Sequence, residues 1–156
     1  MKEKEEAKKE LQKPEGFKEK PEGFKKNLVR QALLARENAY AAYSGYSVGA
    51  ALMTAAGKIY AGCNVENASF GATNCAERTA FFKAVSEGER SFAAIAIAGG
   101  KSAPSDYAYP CGVCRQVMQE FCDEKFLILV AKSEEDYREY TLKELLPYGF
   151  GGDRLI

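Results

Sequence analysis

The residues best suited to chemistry are cysteines in two short stretches. The first is Asn74-Cys75-Ala76-Glu77-Arg78, and the second, further along the chain, is Pro110-Cys111-Gly112-Val113-Cys114. Three thiols with one carboxylate among them suit a metal site that performs a reaction. Zinc held by three protein ligands keeps a fourth position open for water, whereas structural zinc sites usually close with four cysteine or histidine ligands. The pattern therefore predicts a hydrolytic metal centre.

The three sulfurs can meet only if the starts of two predicted helices lie close together. Cys111 and Cys114 are three residues apart at a predicted helix start, so their side chains project from nearly the same side of the first turn. Cys75 begins another predicted helix. The partial positive charge of two helix N-termini would favour thiolates over thiols. We expect both N-termini to point at one metal ion.

Arg78 is predicted to adjust the charge of this centre. Three thiolates around Zn²⁺ leave a net charge of about −1, which weakens the metal as a Lewis acid. Arg78 follows Cys75 by three residues, and a guanidinium can donate hydrogen bonds to a ligand sulfur without binding the metal. The alternative is an ordinary surface arginine.

Glu77 is predicted to be the catalytic group, because hydrolysis needs a carboxylate that lies beside the metal and moves protons. The alternative is a capping box, in which Glu77 reaches back towards Asn74 at the helix start. Two residues along a helix differ by about 200° in direction. Cys75 and Glu77 therefore converge only if Cys75 sits at the irregular helix entrance.

The remaining patterns predict an α/β sandwich around a mixed sheet. Asn27 is the predicted cap of a first helix, and Gly49 would let another layer approach the sheet closely. A polar loop is expected over 64–74. The predicted elements are a helix over 27–43, a β-hairpin of 47–54 and 58–63, a helix over 75–88, a strand over 92–99, a helix over 110–122, a strand over 126–131 and a helix over 141–146.

Residues 1–26 are predicted to be a charged, disordered or weakly helical extension, which leaves 27–156 as one domain. The extension is rich in lysine and glutamate and contains the sequence Pro-Glu-Gly-Phe-Lys twice, at 14–18 and at 21–25. Such a segment buries too little apolar surface to offset its ordering entropy. The repeat could be a docking motif, but a solvated extension is the preferred interpretation.

Composition excludes several classes of function. Lysine plus arginine and aspartate plus glutamate both number 22, so there is no basic field for a nucleic-acid backbone. The absence of histidine excludes Ser-His-Asp and Cys-His catalysis and every histidine-ligated metal. Five cysteines, a charged start and no long apolar run predict a reduced, cytoplasmic protein without a membrane partner.

The cysteine stretches match the signature of zinc nucleobase deaminases, in which His-x-Glu or Cys-x-Glu is followed by Pro-Cys-x-x-Cys. The chain also has Asn64-Val65-Glu66-Asn67, Cys114-Arg115-Gln116-Val117 and Leu145-Leu146-Pro147. From about residue 27 to the end it resembles the small homotetrameric zinc-dependent cytidine deaminases. The resemblance implies a three-layer α/β/α sandwich around a mixed sheet of about five strands.

The resemblance also implies an activity, namely hydrolysis of cytidine and deoxycytidine to uridine and deoxyuridine plus ammonia in pyrimidine salvage. Cys75, Cys111 and Cys114 would hold one Zn²⁺ per subunit. Glu77 would pass protons to the ring nitrogen and the departing ammonia while a water activated by zinc attacks C4.

Substrate-binding positions follow from the same resemblance. Asn64 and Glu66 match residues that bind the ribose hydroxyls, although either could be an ordinary loop residue. Tyr46 would line the pyrimidine pocket in place of the usual phenylalanine, and Ala76 would also be a substrate-binding residue. Phe150 matches a phenylalanine that reaches a neighbouring subunit's active site, which implies a homotetramer with composite sites.

Two rival hypotheses remain open at this stage. One is another substrate for the same chemistry, such as blasticidin S or a base within RNA or DNA; Asn64 with Glu66 and the neutral charge balance favour a free nucleoside instead. The other is a non-catalytic binding module whose zinc holds two helices together, with Cys63 or Cys122 as a fourth ligand.

Overall fold

The computed structural model describes residues 22–152 and residue 155. Most of the predicted extension lies outside these residues, so its boundary at residue 27 stays a prediction. The strands are β1 (Ser47–Thr54), β2 (Ile59–Cys63), β3 (Phe92–Gly100), β4 (Leu127–Ala131) and β5 (Tyr137–Thr141). The helices are α1 (Phe24–Arg36), α2 (Ala76–Ser86), α3 (Gly112–Phe121) and α4 (Leu142–Leu145), with a short 3₁₀ turn at Phe70–Ala72. Within the described range, none of these helices has the length and apolarity that crossing a bilayer requires.

The five strands form one mixed sheet in the order β2-β1-β3-β4-β5. β1 pairs antiparallel with both β2 and β3, β3 pairs parallel with β4, and β4 pairs antiparallel with β5. The mixed sheet of about five strands implied by the resemblance is thus confirmed. The sequence patterns alone do not predict β5, because this edge strand is polar and none of its residues is fully buried.

Helices cover both faces of the sheet, which confirms the three-layer sandwich. On one face α1 packs through Leu28, Val29 and Ala32 against small residues of β1 and β3. On the other face lie α2, α3 and α4, packed through Phe81, Met118 and other side chains over the opposite residues of the same strands. Gly49 permits the close approach predicted for it, since an added Cβ would lie 2.1 Å from a backbone oxygen of α1.

The first helix differs from its prediction at both ends. It begins at Phe24, capped by Gly23 with a φ of 72°, so Asn27 is an interior residue and not the cap. It ends at Arg36 rather than near Tyr43, because the backbone N–H of Tyr40 donates to the carbonyl of Asn64. Pairing with a distant loop therefore overrides a helical pattern that the local sequence would otherwise continue.

The helices that bear the cysteines start one residue after the cysteine in each case. Cys75 is the residue before α2 and Cys111 the residue before α3, and both have extended backbone conformations. Pro110 was predicted within the first turn of its helix, but it precedes that helix. The shift places both cysteines at helix entrances.

Candidate metal centre and active site

Three sulfurs converge between the N-termini of α2 and α3. The Sγ atoms of Cys75, Cys111 and Cys114 all lie within 4.8 Å of one another. Cys75 Sγ is 3.9 Å from Cys111 Sγ, which in turn is 3.6 Å from Cys114 Sγ. The structure thus brings together the three predicted ligands, from two separate helix entrances.

The surroundings of these thiols favour one thiolate even without a metal. The pKa of Cys75 is lowered to about 5, because Cys114 hydrogen-bonds to its thiolate and Arg78 adds a second hydrogen bond. The pKa of Cys114 is raised for the complementary reason, since it keeps the proton that it donates to Cys75, and burial adds to the effect. A low thiol pKa is typical of cysteines that bind metals.

Arg78 reaches the sulfur group as predicted. Its Nη2 atom lies 3.5 Å from Cys75 Sγ and 3.5 Å from the carbonyl oxygen of Thr73. Its Nε atom is buried and has no hydrogen-bond partner among the described residues. A buried, unpaired donor beside three sulfurs suits a centre in which those sulfurs become anionic metal ligands. Three thiolates in this arrangement fit zinc, a metal that prefers such donors.

Glu77 lies on the second residue of α2 and is only 4% exposed. Burial, with the nearby Cys75 charge as a smaller cause, raises the pKa of Glu77 to about 7. The capping-box alternative is wrong, because Cys75 rather than Asn74 precedes the helix and no side chain caps it. The Asn74 amide instead donates to Thr79 Oγ1 at 3.1 Å. Cys75 has the non-helical conformation that the convergence with Glu77 requires.

A cavity of about 380 Å³ opens over the sulfur group. Cys75, Cys111 and Glu77 line this cavity. Four of the predicted substrate-binding residues line it as well, namely Tyr46, Asn64, Glu66 and Ala76. Further lining residues are Ser44, Val48, Thr73, Asn74, Ile97, Tyr107, Ala108 and Tyr109. The cavity thus joins the metal ligands to the loop that carries Asn64 and Glu66.

Asn64 and Glu66 are both fixed by hydrogen bonds to the chain around them. The Asn64 side chain accepts from the Val48 N–H at 2.8 Å and donates to the Tyr46 carbonyl at 2.9 Å. Glu66 accepts from the backbone N–H groups of Tyr43 and Ser44, at 2.7 and 3.1 Å, and from the Ser44 hydroxyl. These bonds lower the pKa of Glu66. An amide and a carboxylate retain further hydrogen-bonding capacity towards a ligand.

Of the two predicted aromatic positions, Tyr46 lies at the cavity and Phe150 does not. Tyr46 lies in the cavity wall, where desolvation raises the pKa of its hydroxyl. Phe150 does not line the cavity of its own chain; its ring is exposed, and Gln116 Nε2 donates to its backbone oxygen at 2.9 Å. The predicted role of Phe150 in a neighbouring subunit stays a prediction.

Sequence reasoning missed the wall formed by Tyr107, Ala108 and Tyr109. These residues lie in a loop without regular structure. Their one sequence signal is proximity to Pro110 and Cys111, which places two aromatic rings just before a predicted metal ligand.

The other cysteines lie outside the sulfur group. Cys63 donates to the carbonyl oxygen of Asn38 at 3.4 Å, and Cys122 is buried in the core at the C-terminal end of α3. Neither provides a fourth sulfur to the cluster formed by the described residues. This arrangement weakens the hypothesis of a closed, structural zinc site.

Comparison with known proteins gives a consistent answer. Residues 23–130 match the family described as the cytidine and deoxycytidylate deaminase zinc-binding region. A cytidine deaminase from Sporosarcina psychrophila is 47% identical over 128 residues, covering 82% of this chain and 92% of the relative. One from Halalkalibacterium halodurans is 48% identical over 123 residues, covering 79% and 91%.

Solved structures agree with this result. The crystal structure of cytidine deaminase from Burkholderia pseudomallei superposes with a TM-score of 0.73 at 47% identity, covering 80% of this chain and 97% of that one. That of the Mycobacterium tuberculosis cytidine deaminase gives 0.69 at 38% identity, covering 80% and 95%. The converging cysteines, the buried glutamate and these similarities together show that the chain belongs to the cytidine and deoxycytidylate deaminase family.

Proposed function

We propose that this protein is a zinc-dependent enzyme that hydrolyses cytidine and deoxycytidine to uridine and deoxyuridine with release of ammonia. The observation on which the proposal rests is a buried Glu77 beside three converging sulfurs at one cavity. A carboxylate near a metal centre but outside its ligand set is the arrangement that hydrolysis of a C–N bond requires.

Each part of the centre has an assigned task. Cys75, Cys111 and Cys114 would hold the zinc, and Arg78 would stabilise the charge on the Cys75 sulfur. When bound, zinc supplies Lewis acidity that activates water for attack on C4 of the pyrimidine.

Glu77 moves the protons. A carboxyl group with a pKa of about 7 can accept the two protons of the attacking water one after the other, passing the first to the ring nitrogen and the second to the departing amino group. Its burial keeps bulk water from competing for the same proton.

The far end of the cavity suits a sugar. Glu66 is held as a carboxylate and Asn64 as an oriented amide, so the pair can bind a diol. The cavity lining includes two carboxylates and, among the described residues, no lysine or arginine. A phosphate would meet repulsion there, which favours a nucleoside over a nucleotide or polynucleotide.

We further propose a homotetramer with composite active sites that works in cytoplasmic pyrimidine salvage. Support for the assembly comes from the C-terminal segment, where Tyr148 is fully exposed and Phe150 is 49% exposed. Large apolar rings in this position would gain by burial against another subunit. Light scattering with matched enzyme assays at several protein concentrations tests this assembly.

The direct test replaces Glu77 by glutamine, which keeps the shape and removes the titrating group. Turnover of cytidine, followed by loss of ultraviolet absorbance, should fall by at least about 10³-fold, while zinc content and melting temperature are retained. An unchanged rate would refute the role assigned to Glu77, whereas absence of turnover by the zinc-loaded parent protein would favour a binding module. Removing the metal with a chelator should abolish turnover, and adding zinc should restore it.

Substrate rivals are tested with the same preparation. Cytidine, deoxycytidine, blasticidin S and a cytosine-containing oligonucleotide are compared by kcat/KM. The proposal requires the two nucleosides to be the best substrates. Turnover of only the antibiotic or the oligonucleotide would overturn it.

A further inference from the structure

The wall made of Tyr107, Ala108 and Tyr109 has no regular structure of its own to hold it. It follows an isolated β-bridge between Gly99 and Asp106, and Pro110 connects it directly to Cys111. Hereafter these three residues are called the tyrosine wall. All three residues line the cavity beside Cys111, so a shift of the wall would change the space open to a substrate.

Arg138 of β5 contacts both tyrosines of this wall. The guanidinium carbon lies 4.0 Å from the centre of the Tyr107 ring, and Nη1 donates to Tyr109 Oη at 3.2 Å. A planar guanidinium can stack on one ring and direct an N–H to a second group at the same time, which an ammonium group does less well. The Arg138 side chain thus links the two tyrosines of the wall.

Other residues of β5 and the turn before it support the same two rings. Tyr107 donates to Asp136 at 2.5 Å, and the Lys132 ammonium lies 4.4 Å from the Tyr107 ring centre. The hydroxyls of Tyr109 and Tyr140 are 2.8 Å apart, and their rings meet edge to face at 5.5 Å. The wall therefore rests on β5 through side-chain contacts.

The β4–β5 hairpin is itself attached to the helix on the other face of the sheet. Its acidic residues pair with the basic residues of α1. The pairs are Lys25 with Glu139 at 2.7 Å, Lys26 with Glu135 at 2.7 Å and Arg30 with Glu134 at 2.8 Å. Several pairs together therefore link the hairpin to α1, and because each pair is exposed and contributes little by itself, the loss of one should leave the hairpin in place beneath the wall.

We propose that Arg138 is a positioning residue that holds the tyrosine wall in its substrate-binding position. It does not touch the reacting atoms, so it should act on substrate binding more than on the chemical step. The inference rests on the proposed deaminase function.

The test compares substitutions of two exposed arginines, Arg138 on β5 and Arg30 on α1. In Arg138→Leu the stacking and the hydrogen bond to Tyr109 are both lost, and KM for cytidine should rise by about threefold to tenfold with kcat within about twofold. Arg30→Leu is the matched control, since Arg30 is also an exposed arginine, pairs with Glu134 and lies on α1 away from the wall. Its KM should equal that of the parent enzyme.

Two further variants separate positioning from general support of the fold. Arg138→Lys keeps a cation near Tyr107 and should restore part of the lost KM effect. Tyr109→Phe removes one acceptor of Arg138, so adding Arg138→Leu to it should raise KM by a smaller factor than in the parent. An unchanged KM in Arg138→Leu, a fall in kcat alone, or fully independent effects in the double variant would overturn the proposal.

A separate measurement distinguishes this failure from failure of the deaminase function. Absence of turnover by the zinc-loaded parent protein would refute the function, whatever Arg138 does. Amide hydrogen exchange at residues 106–109 needs no substrate and should become at least about tenfold faster in Arg138→Leu. Exchange that matches the Arg30→Leu control would overturn the positioning role by itself.

Discussion

Replacement of Gly62 by alanine should displace the helix that carries the catalytic carboxylate. Gly62 lies on β2 directly under α2, and an added Cβ would lie 2.5 Å from the backbone nitrogen of Ala80 and 2.6 Å from the backbone oxygen of Ala76. Neither neighbour is a flexible side chain that could turn away. The glycine is therefore required for the close approach of helix and strand, and not for an unusual backbone angle.

The size of the effect follows from these distances. Ordinary contact begins at about 3.4 Å, so the 2.5 Å approach demands that α2 retreat by about 0.9 Å. A shift of about 1 Å in a reacting group costs on the order of 10²-fold in rate. Overpacking of a tight core costs about 1–3 kcal/mol of unfolding free energy. Gly62→Ala should thus lose about 100-fold in kcat/KM and unfold more easily.

The assay needs two controls, because destabilisation and displacement can be confused. Activity is measured at a temperature where circular dichroism shows each variant to be folded. Gly71→Ala adds a methyl group into open space and should change neither property. Leu28→Ala creates a cavity in the α1 core, on the other face of the sheet, and should lose about 2–5 kcal/mol with little change in the activity of folded protein.

The decisive comparison is between the two destabilised proteins. At equal folded fraction, the kcat/KM of Gly62→Ala should be about 100-fold lower than that of Leu28→Ala. Equal specific activities would refute the reasoning, because they would mean that α2 accommodates the methyl group without moving Glu77.

Two further predictions concern charged partners at the two ends of the site. Arg78→Leu removes the donor to the Cys75 sulfur and should lower zinc affinity by about 10- to 100-fold, measured by chelator competition; affinity equal to that of the parent would contradict the charge-balancing role. Glu66→Gln keeps the shape but removes the charge that Tyr43 and Ser44 N–H groups bind, so KM for cytidine should rise by about tenfold. A KM that stays the same while kcat falls would show that Glu66 does not bind the sugar.

The metal centre was predictable because its determinants are local. The spacing of Cys111 and Cys114 places two sulfurs at the start of one helix. Cys75 and Glu77 need only the start of a second helix to be positioned relative to each other. What the sequence left open was whether Cys75 would be helical. The structure places it before α2 in an extended conformation, which removed the capping-box alternative.

Errors in the predicted elements have a common physical origin. The helical pattern continues past Arg36, but Tyr40 pairs with Val65 and Asn64, and local sequence contains no record of this long-range contact. Strand β5 was missed because an edge strand does not need the alternating apolar pattern of a half-buried one. The tyrosine wall was missed because its position depends on long-range contacts with the core and with β5.

This contrast between local and long-range determinants predicts which kinetic parameter each substitution should change. Glu77 and Arg78 lie in the first turn of α2, directly after Cys75, so changes to them should alter kcat or metal affinity. The substrate wall instead depends on contacts between segments far apart in sequence, such as Arg138 with Tyr109. Changes there should alter KM while the metal centre, built from its own two helix entrances, remains intact.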